Sequence, residues 1–265
     1  MLRRWSWVLV LVVGVALYES VRAAVFATKN PNLLPALILL GAAVVPAAFT
    51  AFVAGRRLVF DLGGGLVALT ALVGGVIGVV AAGFLEYRTL RTLGVVPLLA
   101  VGVIEEAAKL IVPAAIVLFW RRHRHPADGL LLGVACGAGF AVLETMGYAF
   151  VALIQSSGDL AVVQQVLFLR GVLSPAAHMA WTGLTAAALF TAAAEKWSTR
   201  SLLRFGVVFV VVAGLHALWD SLAAKSWVPD LAVAAVSLAL LTVTAHQLAA
   251  PERRGLPALP PGPVL

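Results

Sequence analysis

VGVIEEAAKLIVPAAIVLFW, Val101 to Trp120, is apolar enough to cross a membrane as a helix, yet its interior holds Glu105, Glu106 and Lys109. A charge at the bilayer centre costs roughly 2.5–3.5 kcal/mol on insertion scales. The stretch therefore implies a membrane-spanning helix whose ionisable side chains need a partner or a task.

The rest of the chain agrees. Of its 265 residues 62% are hydrophobic, and the mean hydropathy is +1.02. Soluble domains are roughly 45–50% apolar, so no soluble core hides this much. A hydrocarbon core of about 30 Å takes about 20 residues of apolar helix. Eight segments reach that length: Trp5–Ala27, Leu33–Ala54, Leu62–Phe84, Leu93–Trp120, Gly129–Ile154, Leu160–Ala193, Leu203–Ala224 and Leu231–Ala249. No β-barrel alternation is visible. The expectation is an all-α polytopic transmembrane helical bundle over residues 1–250, with loops too short for a second domain. The tail from 251 to 265, PERRGLPALPPGPVL, is Pro-rich and expected to be a disordered cytoplasmic end. Arg3, Arg4 and the later AAVFA resemble a signal peptide, but the apolar stretch is longer than a usual signal core. A retained anchor is expected.

The net charge of +7 does not point to nucleic acid, because the basic residues are scattered among short loops. They sort by side instead. With the N-terminus cytoplasmic, the inner loops collect 12 of the 19 Lys and Arg and the outer loops 5, while Lys109 and Arg170 lie within spans. Positive-inside topology then puts both termini in the cytoplasm of a multi-pass cell-membrane protein. The single Cys136 excludes an intramolecular disulfide and a thiolate metal cluster.

The intramembrane polar residues carry the functional signal. Glu105 and Lys109 form an i,i+4 pair. Glu106 points about 100° away from Glu105, so the two carboxylates need not share a partner. The fifth span adds Glu144, the sixth Arg170 and His178, the seventh His216 and Asp220. Pro175, three residues before His178, predicts a kink. Four helices thus bring ionisable groups to one slab of the membrane, and the remaining spans bring almost none. Glu144, His178 and His216 offer the carboxylate and two imidazoles of a catalytic zinc site with an open water position. Glu105 or Glu106 is then placed to take the water's proton, and Asp220 to ligate or to hold the His216 tautomer. Buried Glu, His and Asp also build proton relays, so a proton- or metal-coupled transporter is the alternative, and a non-catalytic receptor or scaffold a third. No inverted repeat supports transport. Gly133 and Gly137 read as small-residue helix packing, and His123 and His125 as part of a solvated basic loop.

EEAAK (105–109), FAVLE (140–144), HMAWT (178–182) and HALWD (216–220) follow one another on successive hydrophobic spans. In this order they resemble the motifs of the PrsW family of intramembrane proteases, related to the CAAX-processing and bacteriocin-processing membrane proteases. The resemblance implies an endopeptidase that cleaves a membrane-anchored protein, in some relatives an anti-sigma factor. It places functional positions on Glu105, Glu106, Glu144, His178, His216 and Asp220. It leaves two chemistries open: a Zn²⁺-activated water, or a metal-free Glu–His pair with His216 and Asp220 stabilising the oxyanion.

Overall fold

Pro113 breaks the helix on which the charged residues ride. It has no N–H to give to the carbonyl four residues back, so the carbonyl of Lys109 loses its helical donor. The buried thiol of Cys136 donates to that oxygen instead, at 3.1 Å. The chain turns at Leu110 and resumes as a second short helix. The computed structural model describes residues 2–56, 58, 62–120, 125–222 and 227–253.

The described helices are α1 (Leu2–Thr28), α2 (Leu34–Ala54), α3 (Gly64–Leu93), α4 (Leu98–Lys109), α5 (Ile111–Phe119), α6 (Pro126–Gln155), α7 (Leu160–Leu173), α8 (His178–Ala194), α9 (Thr199–Leu222) and α10 (Trp227–Arg253). No strand occurs among the described residues. Seven helical stretches there are long and apolar enough to cross a membrane, with α7 and α8 forming one of them. The eighth expected span is the interrupted pair α4–α5. The all-α polytopic reading holds. Exposed rows of Leu and Val, such as Leu203, Val207 and Val210 on α9, suit hydrocarbon and would be unusual in water.

Some helix boundaries differ from the hydropathy reading, and one interruption in it is confirmed. The third helix runs on from Phe84 to Leu93, because its polar last turns still form helix; Gly94 ends it with φ 73°, a left-handed cap that glycine adopts without strain. The sixth span is interrupted by a 3-10 turn at Ser174–Ala176 around Pro175, the expected kink. The last helix extends through Pro251 to Arg253, so the first residues assigned to the tail are helical. The tail from 254 onward and His123 lie outside the described residues.

The chain divides into two units. The first, residues 1–56 and 141–175, packs Ile38 and Ala42 of α2 against Ala149 of α6 and Val163 and Leu167 of α7. The second, residues 57–140 and 176–265, is held by Ile116 and Val117 of α5 against Leu132 of α6 and Phe190 of α8. Its helices approach very closely where glycine permits. A Cβ on Gly137 of α6 would overlap the carbonyl of His178, and one on Gly133 the carbonyl of Thr182. The glycines read as packing residues are packing residues.

Candidate active site

Gly102 lets α4 approach α9, since a Cβ there would lie 2.7 Å from the carbonyl oxygen of Ala213. One turn later the same contact sets Glu105 and Glu106 beside His216. The α6–α8 contact at Gly137 likewise fixes the start of α8, where His178 is the first residue after the non-helical Ala177. Three helices of one unit therefore bring four of the expected site residues together: Glu105, Glu106, His178 and His216. All four are buried. Asp220, also on α9, stands at their edge with its side chain 27% exposed.

The geometry centres on Lys109. Its ammonium donates to Glu106 Oε1 at 2.8 Å, to Glu105 Oε2 at 3.2 Å and to His178 Nδ1 at 2.8 Å. It lies 4.1 Å from the centroid of the Phe140 ring. The two glutamates share a partner, a point the helical wheel leaves open. Positions three and four residues before a lysine are both its neighbours on a helix, and a long side chain spans the angle between them.

His216 is fixed from two sides. Its Nδ1 lies 2.8 Å from Glu106 Oε1, and a carboxylate only accepts, so Nδ1 carries the proton. Nε2 faces Glu105 Oε2 and Asp220 Oδ2, each at 3.5 Å. Trp181 stacks on the His216 ring at 4.8 Å and meets the His178 ring edge-on. The Trp181 indole N–H in turn donates to Ser237 of α10 at 2.9 Å. Ionisable residues alone do not single out Trp181, although its place three residues after His178 puts both on one helical face.

Ligand atoms of Glu105, His178 and His216 all lie within 4.8 Å of one another. This differs from the expected set in its carboxylate. Glu144 belongs to the other unit, where Arg170 of α7 binds its Oε2 at 2.7 Å and lies 4.0 Å from the Tyr148 ring centroid. The two histidines of the expected set are in this group, with Glu105 as its carboxylate. The signal for this lies in the i,i+4 spacing that puts Glu105 with Lys109, combined with an Arg170 that needs a counter-charge inside a span.

The sequence matches the PrsW-protease family, described as PrsW family intramembrane metalloprotease, over residues 59–245. No curated protein and no solved structure matches it. The matched region holds every residue of the Glu105–His178–His216 group, and the protein is accordingly a multi-pass intramembrane metalloprotease acting on membrane-embedded protein. The chain belongs to the PrsW family.

Proposed function

We propose that Glu105, His178 and His216 hold a zinc ion and that Glu106 moves the proton of the attacking water. The observation that carries the reading is the convergence of one carboxylate and two imidazoles, all buried, within 4.8 Å. One carboxylate with two histidines is a donor set of catalytic zinc sites. The surroundings fit as well: the Glu106 carboxylate accepts the Nδ1–H of His216, the carboxylate–histidine arrangement that fixes the tautomer of a metal-bound imidazole. Glu106 Oε2 is buried without a hydrogen-bond partner among the described residues, so its lone pairs are open to a proton from water.

When bound, zinc lowers the pKa of a coordinated water to about 7 and polarises the scissile carbonyl. The protein's own groups do the rest. Glu106 Oε2 takes a proton from water as its oxygen adds to the peptide carbonyl carbon. The same carboxyl returns the proton to the nitrogen as the C–N bond breaks, giving a free carboxyl and a free amine. Trp181, stacked on His216 and edge-on to His178, holds both imidazoles in place. Asp220, facing His216 Nε2 from the more exposed side, adds a second negative charge to the cation site.

The substrate class follows from the family resemblance: a membrane-anchored, single-span protein, with anti-sigma-factor-like regulators the first to try. The 12-to-5 distribution of basic residues supports both termini lying in the cytoplasm of a cell-membrane protein. Purified protein in detergent is expected to cut such a substrate, lose the activity on exhaustive chelation and recover it with one equivalent of zinc. Full activity in rigorously metal-free protein would overturn the zinc assignment. Proton-driven ion flux in liposomes, with no cleavage of any single-span protein, would instead support transport.

A further inference from the structure

Lys109 has no place in the reaction just described, yet it is wholly buried and its ammonium reaches three of the site's side chains. It bridges Glu105 Oε2 and His178 Nδ1, two of the three groups assigned to the metal. A nitrogen accepting a hydrogen bond from an ammonium has its lone pair committed, and a divalent ion set beside a lysine cation in a buried site meets strong repulsion.

We propose that Lys109 is a tethered cation that occupies the metal site in the empty protein and withdraws when the site is loaded. The charge balance explains why the device is built in. Without any cation, Glu105, Glu106 and Asp220 crowd around His216, and uncompensated buried charge is strongly destabilising. The lysine supplies one positive charge at the right place, so the helices assemble before metal arrives. It also has somewhere to go. Its contacts with Glu105 and His178 are the two that loading claims, whereas the Glu106 Oε1 contact at 2.8 Å and the Phe140 ring at 4.1 Å are left to it. Phe140 itself is buried against Ala82 and Ala108, which fixes the ring that receives the ammonium. Loading thus hands Glu105 and His178 from the ammonium to the metal and leaves Lys109 beside Glu106.

The proposal rests on the ligand set given above, and the test separates the two. Full-length protein in detergent is stripped of metal and titrated with zinc by calorimetry. Wild type is expected to bind one equivalent, and His178→Ala none. Lys109→Met is expected to bind zinc at least about tenfold more tightly, because the competing charge is gone. Lys109→Gln, which keeps a donor toward Glu106, should behave likewise. Unchanged or weaker affinity in both variants, with the His178 dependence intact, overturns the tethered-cation proposal and leaves the ligand set standing. Binding that does not depend on His178 overturns both. If the neutral variants do not fold without metal, zinc should restore their helical circular dichroism and cooperative melting, since it replaces the missing charge. Variants that stay unfolded in excess zinc would show that Lys109 is a structural residue and no competitor.

Discussion

Glu105→Gln protein is expected to retain no stoichiometric zinc and to cleave its substrate about a thousandfold more slowly than wild type, whereas Glu144→Gln keeps its zinc. A loss of that size corresponds to about 4 kcal/mol of transition-state stabilisation. The amide is isosteric but a much poorer metal ligand than the carboxylate, and Glu105 supplies the oxygen within reach of both histidines. Glu144 is bound by Arg170 instead. Glu106→Gln separates the remaining role: its carbonyl oxygen still accepts the Nδ1–H of His216, so metal should stay while turnover falls by a factor of about 10²–10⁴, the usual worth of a general base. Metal content and single-turnover rate on the three variants decide the assignment. Zinc lost from Glu144→Gln and kept in Glu105→Gln would restore the ligand set expected from the sequence.

The second large effect lies in packing. Gly137→Val should abolish activity and lower the melting temperature by about 5–10 °C, as expected for overpacking of a protein this size by about 1–3 kcal/mol. The added atoms meet His178 carbonyl carbon at 2.9 Å and Met179 Cα at 2.9 Å, both backbone atoms that cannot rotate aside. To make room, α6 and α8 must part, and His178 moves with α8. Gly147→Val is the control, because nothing lies within 4 Å of a Cβ there. Thermal unfolding and cleavage assays on the pair check the expectation; an active, stable Gly137→Val would mean the helix contact does not position the histidine.

Much of this is legible from residue order. Hydropathy reveals the helices, because a bilayer imposes length and apolarity on every span. The Pro175 kink is readable from a missing N–H. The site histidines stand out because an imidazole deep in an apolar helix opposes insertion and is kept there by a partner or a ligand. The choice of carboxylate is not readable in the same way. Glu105, Glu106 and Glu144 are equally anomalous in their spans, and only three-dimensional pairing shows that Arg170 engages one of them. The helical wheel leaves open whether Glu106 shares Lys109 for a similar reason: it gives the direction of a Cα–Cβ bond, not the reach of a four-carbon chain. The break at Leu110 requires the effect of Pro113 to be weighed against an otherwise continuous hydropathy trace, and hydropathy does not register hydrogen bonds.

Because Cys136 donates its S–H to the Lys109 carbonyl, to which Pro113 has no N–H to give, the protein's only thiol is not a neutral starting point for site-directed labelling. A cysteine-free background made with alanine would take that donor away from the Lys109 carbonyl. Serine keeps a donor there, so Cys136→Ser is the background in which introduced probes report on the native molecule. The same burial spares the experimenter a precaution: the native thiol is fully enclosed, and preparations handled with or without reductant should be the same protein.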